Sequence, residues 1–297
     1  MTVLVIGEIL FDEFPSYRRI GGAAFNFAYH LHQLQQPVQL VTRIGRDRSG
    51  EDILKILRKA GLDTQTVQVD PHHATGTVAV SLDEEGVPSF DILEDVAYDH
   101  LEMNAAVRRA LESAPPLLYF GSLVQRSTAG RDFLQDLLSR RRAETRCLYD
   151  MNLRPGARSE AVVRASLKQT DILKINEEEL SFSAGLFRAG DDRLSAVHHL
   201  MRENHIDVVA LTCGGRGSEL YVGRRRYHQA PSPQIDVVDT VGAGDAYAAV
   251  LAIGCLRRWP PEKTLDLCTC IAGRMCTIEG AVPPTGGFYA DLVREMG

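Results

Sequence analysis

The run Asp239-Thr240-Val241-Gly242-Ala243-Gly244-Asp245-Ala246-Tyr247-Ala248 follows a short β-branched stretch, Ile235 to Val238, and leads into an apolar, Ala-rich segment. That order predicts a strand, a Gly-x-Gly turn and the N-terminus of a buried helix. Gly242 and Gly244 let the backbone turn tightly and approach a ligand, while the first helical N–H groups and the helix dipole favour an anion there. Asp245 is a carboxylate placed where an anion should sit. Such a group is useful if it takes a proton from a hydroxyl that then attacks a phosphate. The competing reading is that Asp245 only caps or charges a helix start.

Two common phosphate signatures fail on this run. A P-loop needs Lys-Ser/Thr after its last glycine, and no Lys follows Gly244. A dinucleotide fingerprint needs a third glycine where this chain has Tyr247, which disfavours a dehydrogenase.

With 297 residues, 44% hydrophobic and 24% charged, the chain has the composition of an ordinary globular α/β protein. A net charge of -6 disfavours nucleic-acid or anionic-membrane partners, which are held by clustered Lys and Arg. The short clusters Arg140-Arg141-Arg142 and Arg224-Arg225-Arg226 read as a solvated helix end and a hairpin turn. The N-terminus enters an apolar run, Val3 to Ile6, with no targeting signal, and the apolar run Ala246 to Leu256 is too short to span a bilayer. A cytoplasmic protein is expected. The six Cys lie in apolar contexts without Cys-x-x-Cys spacing and read as reduced, buried thiols. The doublets His72-His73 and His198-His199 read as surface or loop residues rather than metal ligands.

Apolar runs of strand length at 3–7, 38–44, 117–121, 147–151, 171–175 and 208–212 alternate with helical patterns near 24–36, 50–60, 102–113, 130–143, 159–169, 177–185 and 193–204. This predicts a doubly wound, mostly parallel sheet flanked by helices, in a single domain over 1–297. Residues 75–93 break the rhythm as two short strands around Asp83-Glu84-Glu85-Gly86, a hairpin signature. With 11–20 they predict a small β lid over the carboxyl ends of the strands, where ligands of open α/β sheets bind. An antiparallel extension at the sheet edge is the competing reading. Asp12, Gly21, Gly22 and Asn26 then stand in loops above the sheet and offer what a polyol needs: hydrogen-bonding side chains and a backbone that closes on a flat ligand.

Taken together, Gly21-Gly22…Asn26, the lid pair, Asn176-x-x-Glu179, Thr212-x-Gly214…Gly217 and Asp239…Asp245 resemble the ribokinase family of carbohydrate kinases, also called the PfkB family. The resemblance implies a ribokinase-like fold and transfer of the ATP γ-phosphoryl group to a sugar hydroxyl. It implies Asp245 as the base, with the backbone N–H groups of Gly242, Ala243 and Gly244 as the anion hole. It also implies Asn176 and Glu179 near Mg²⁺, and Thr212, Gly214 and Gly217 beside the nucleotide. A monovalent cation such as K⁺ is implied at Asp239 and the backbone near Gly280. Family members often pair through their lids, so a homodimer is implied and a monomer stays open. The runs 7–15, 21–28, 120–126 and 150–155 look like fructokinases, and Ala23-Ala24 stands where ribokinases have Lys-Gly. This makes D-fructose the expected substrate, fructose 6-phosphate the product, and Arg154 a contact to the sugar or the phosphoryl group. The alternatives are a kinase for 2-keto-3-deoxygluconate or ribose, a non-catalytic sugar or nucleotide sensor, and an Arg154 that only pairs with Asp150.

Overall fold

In the computed structural model, which describes residues 2–82, 88–154, 159–189, 192–231, 236–283 and 286–296, Val3, Leu4, Val5 and Ile6 are all buried. Their side chains alternate between two separate cores, Val3 and Val5 in one, Leu4 and Ile6 in the other. A strand buried on both faces has no polar side to show, which is why these runs read as continuous apolar stretches.

Strand β1 (Val3–Ile6) leads into an antiparallel pair, β2 (Leu10–Glu13) and β3 (Arg18–Gly21), and then helix α1 (Ala23–Gln33). β4 (Val38–Gly45), α2 (Arg48–Lys59) and β5 (Val67–Asp70) precede a second antiparallel pair, β6 (Gly76–Leu82) and β7 (Pro88–Ile92). The middle of the chain runs α3 (Ala105–Glu112), β8 (Leu117–Gly121), α4 (Thr128–Ser139), β9 (Arg146–Asp150), α5 (Glu160–Leu167), β10 (Ile172–Asn176), α6 (Glu177–Phe187), α7 (Arg193–Asn204) and β11 (Val208–Thr212). A hairpin, β12 (Ser218–Val222) and β13 (Arg225–Gln229), and helices α8 (Ala243–Arg257), α9 (Pro261–Met275) and α10 (Ala290–Met296) complete it.

The main sheet has the order β13-β12-β11-β10-β9-β8-β1-β4-β5, parallel from β11 through β5 and antiparallel only in the β11, β12 and β13 meander. α1, α2, α8, α9 and α10 fill one core, and α3 to α7 the other. The lid is a separate four-stranded sheet, β3-β2-β6-β7. Its expected turn, Asp83 to Gly86, lies outside the described residues. No described helix is long and apolar enough to cross a membrane.

Helix starts follow their caps. Asp47, Asn104 and Ser127 accept N–H groups of Gly50, Val107 and Gly130, which moves the first of these helices two residues earlier than its apolar pattern and delays the second to Ala105. One expectation is overturned. Residues 236–238 are not a strand: Val237 and Val238 are 64% and 57% exposed, and Val238 N–H donates to Cys276 O outside the sheet. A β-branched run forms a strand only where it has a pleated neighbour to pack on. His198 also departs from the loop reading, since it sits on α7 edge-on to Tyr221. The arginine clusters hold: Arg140 follows α4, and Arg224 lies at the β12–β13 turn.

Two contacts hold the helices that carry the polar groups. Phe27 of α1 stacks on Tyr119 of β8 at 3.8 Å between centroids, the kind of pair worth about 0.5–1.5 kcal/mol beyond area burial. α8 packs on α9 through Gly254, where an added Cβ would lie 2.6 Å from Thr264 Cγ2. Gly254→Ala should therefore overpack this contact and lower stability by about 1–3 kcal/mol. Urea unfolding checks this, and an unchanged midpoint contradicts so close an approach.

Candidate active site

β1 pairs with β4 on one side and β8 on the other, so the chain leaves it in opposite directions and a crevice opens at its carboxyl end. The crevice is a cavity of about 670 Å³. The ends of β1, β8, β9, β10 and β11 supply Glu8, Ser122, Asn152, Lys174 and Thr212 as its floor; Leu10, Asp12, Val78 and Ile92 of the lid face it from above. The first turn of α8 forms the wall.

Gly242 begins that wall with φ 78°, a left-handed conformation, and a Cβ there would lie 2.5 Å from Ala281 Cα. Asp245 is the third residue of α8 and is buried. Its Oδ2 accepts the Asn26 Nδ2–H at 2.7 Å. Burial, then the nearby Asp150 charge, raises its pKa to about 6, while Lys174, the Asn26 hydrogen bond and Arg154 hold it from going higher. A carboxylate with that pKa is ionised at neutral pH and still basic enough to take a proton from a hydroxyl.

Lys174 is the residue that sequence reasoning missed. Alternation along β10 turns it to the same side as Ile172, toward α8. Its Nζ donates to both Asp150 oxygens at 2.9 and 3.1 Å, and a Cβ on Gly244 would lie only 3.0 Å from it. Burial works against its charge, but Asp150, Asp245 and Glu179 outweigh that and raise its pKa. The ammonium therefore stands against the glycine turn as a fixed cation. A signal was available: a charged residue inside the apolar run Ile172-Leu173-Lys174-Ile175 of a strand buried on both faces has to have a buried partner. Because Asp150 is engaged by Lys174, and the Tyr119 hydroxyl donates to it at 3.4 Å, an Arg154 that serves only Asp150 is not needed.

Glu8 was missed as well. Its Oε1 accepts the Ala23 N–H at the start of α1, and burial, with a smaller contribution from Asp245, lifts its pKa to about 7. Asp12 is lifted to about 6 by burial, against the pull of Arg154 and Arg19. The Oδ1 of Asn26 is buried and has no hydrogen-bond partner among the described residues, an unsatisfied acceptor on a residue that lines the cavity.

Asn176 and Glu179 form a reciprocal capping box at the start of α6, each accepting the other's backbone N–H at 2.9 Å. Glu179 Oε1 also accepts the Leu153 N–H. Its neighbour Glu177 is bound by Arg193 and Arg216, so within this acidic run it is Glu179 that lines the cavity.

Of the residues singled out from the sequence, the cavity gathers Asp12, Gly22, Asn26, Arg154, Asn176, Glu179, Thr212, Gly242, Gly244 and Asp245. Ala243 opens α8 without lining the cavity, and Gly21 leaves room for Asp12 Oδ2, 2.7 Å from where its Cβ would be. Gly214 and Gly217 lie in the turn after β11, outside the cavity lining. Asp239 braces two loops, its oxygens accepting the Val241 and Gly280 N–H groups at 3.0 and 2.9 Å. Oxygen donors such as Asn176, Glu179 and Thr212 suit a hard cation, and Lys174 with the α8 N-terminus suits an anion.

The whole chain is similar in sequence and fold to known proteins. The chain is 29% identical to the sugar kinase PH1459 of Pyrococcus horikoshii over 87% of this chain and 77% of that protein. The crystal structure of this uncharacterized kinase has TM-score 0.83 at 24% identity, covering 100% of this chain and 99% of that one. Rice fructokinase-1 (Oryza sativa subsp. japonica) is 28% identical over 84% of this chain and 81% of its own length. A fructokinase of Xylella fastidiosa, solved with bound ATP, has TM-score 0.83 at 20% identity, covering 99% and 98%. The sequence profile of the pfkB family carbohydrate kinases matches residues 17–285, so the chain belongs to that family, phosphotransferases with an alcohol group as acceptor.

Proposed function

We propose that this sugar kinase phosphorylates D-fructose, giving fructose 6-phosphate, with Asp245 as the base that takes the proton from the primary hydroxyl. The observation that carries the reading is the buried Asp245 carboxylate, bonded to Asn26 and standing at the same glycine turn as the Lys174 ammonium. A hydroxyl in hydrogen-bond reach of Asp245 becomes a nucleophile as its proton leaves. The N–H groups of Gly242, Ala243 and Gly244, reinforced by Lys174, meet the charge on the transferring phosphoryl group. Asp12 and Asn26 grip sugar hydroxyls, Gly21 and Gly22 let the backbone close on the ring, and the lid strands exclude water that would compete for the phosphoryl group.

Thr212 lies on the nucleotide side in this reading, with Gly214 and Gly217 in the loop beyond it. Magnesium fits the site through Asn176 and Glu179. Both Glu179 oxygens already accept a backbone N–H, so their remaining lone pairs hold the ion through water. When bound with ATP, Mg²⁺ supplies positive charge against the phosphate oxygens. A monovalent cation such as K⁺ belongs at Asp239 and the backbone near Gly280, in addition to the two hydrogen bonds seen there.

Asp245→Asn should keep the fold and sugar affinity while kcat falls by at least ~10²-fold, the lower range for a lost general base. Near-normal turnover in a folded variant removes Asp245 from that role. ADP release measured across fructose, ribose and 2-keto-3-deoxygluconate tests the substrate. Fructose is expected to give the highest kcat/KM. The second reading, a sugar acid, is favoured by the exposed Arg154 guanidinium at the cavity, and preference for the acid would displace fructose. ADP formed with none of the three would overturn both.

A further inference from the structure

Away from the cavity, the two ends of the lid hairpin converge on a group of side chains. His73 lies just before β6, while Asp95 and His100 lie just after β7. His100 Nε2 is 2.8 Å from Asp95 Oδ1, and His73 Nε2 is 3.8 Å from the same oxygen. The imidazoles stack 14° from parallel with centroids 3.6 Å apart, so a ring has to rotate before both Nε2 lone pairs meet one ion. One ligand atom from each residue lies within 4.8 Å of the other two.

Two of the three separations bracket what an ion would impose, and the third lies within 4.8 Å. In a tetrahedral site with bonds of about 2.0–2.1 Å, neighbouring ligand atoms are about 3.3 Å apart. The observed 2.8 and 3.8 Å fall on either side of that value. The group is also accessible, with His73 28%, His100 30% and Asp95 79% exposed, which leaves an entry path and room for a water as fourth ligand.

Asp70 provides an independent observation. This carboxylate is buried, and its Oδ2 lies 3.1 Å from His73 Nδ1. Its Oδ1 accepts the His72 and His73 backbone N–H groups, which fixes the carboxylate behind the His73 ring. A carboxylate 3.1 Å from Nδ1 favours the proton on that nitrogen. Nε2, on the other side of the ring, lies 3.8 Å from Asp95 Oδ1, beyond hydrogen-bond distance. A carboxylate behind one ring nitrogen with the other free is the arrangement that orients a metal-bound histidine and strengthens its basicity.

We infer that His73, Asp95 and His100 bind one divalent transition-metal ion of the Zn²⁺ class. Two imidazoles and one carboxylate suit Zn²⁺, whereas Mg²⁺ and Ca²⁺ take shells of oxygen. The ion joins the chain entering β6 to the chain leaving β7 and so fixes both roots of the lid hairpin. The site does not depend on which sugar the cavity takes.

The test is a titration of the full-length, chelator-stripped protein with Zn²⁺ against a chromogenic chelator, without nucleotide or sugar. One Zn²⁺ per chain is expected, with affinity reduced at least ~10-fold in Asp95→Asn and in His100→Ala. Asp95 is exposed, so the Asn variant should fold normally, as circular dichroism will check. Zn²⁺ should raise the melting temperature of the wild type and not of Asp95→Asn. Asp245→Asn should bind Zn²⁺ as the wild type does, which separates this ion from the cavity. Absence of stoichiometric binding, or binding unchanged in both Asp95→Asn and His100→Ala, overturns the assignment.

Discussion

The Lys174 ammonium donates to both oxygens of Asp150 at 2.9 and 3.1 Å and also stabilises the carboxylates of Asp245 and Glu179. Much of the site follows from that one cation. Asp150 takes most of its field, and Asp245 is left as a carboxylate that burial keeps basic. The same ammonium needs space beside the turn, which is why position 244 carries no side chain. Removing one partner of such a buried pair typically costs about 3–5 kcal/mol, because the other charge is left uncompensated. The pair therefore supports both the two central strands it joins and the chemistry above them.

The cavity lining holds four carboxylates, Glu8, Asp12, Glu179 and Asp245, against two cations, Lys174 and Arg154. A polyphosphate entering such a site meets repulsion unless it brings counter-charge. That is a physical reason for a nucleotide to act together with a divalent cation here, and, in the proposed reading, for its phosphates to lie toward the α8 N-terminus and Lys174. The lid is tied to the body by two ion pairs, Arg19 with Glu279 and Arg18 with Asp52. Arg126 also donates to the Leu93 carbonyl just after β7, so the lid's return strand is held at its root.

The glycine turn, Asn26 and the lid strands were legible as local spacing and alternation, whereas the Asn176 and Glu179 pair entered only through the family resemblance, its capping box being visible in the structure alone. Lys174 was not, because its meaning depends on which face of β10 meets α8 and on a partner 24 positions away. The meander β12 and β13 was visible only as a basic turn. Ile235 to Val238 misled, since β-branched composition does not reveal that residues 236–238 lack a neighbouring strand. The His73, Asp95 and His100 group is invisible as a motif: it is assembled by the return of the lid hairpin, and the doublet His72-His73 separates into an exposed residue and a half-buried one oriented by Asp70.

The central claim is that Asp245 works as a base whose pKa is set by burial and by its neighbours. The most direct measurement is kcat against pH between 5 and 8, at saturating MgATP and sugar, for the wild type and for Glu8→Gln, with folding checked at each pH. The account predicts that kcat rises about tenfold per pH unit below the Asp245 pKa of about 6, levels off above it, and keeps this shape without the Glu8 carboxyl. A kcat independent of pH across that range, or an inflection that disappears in Glu8→Gln, would contradict it.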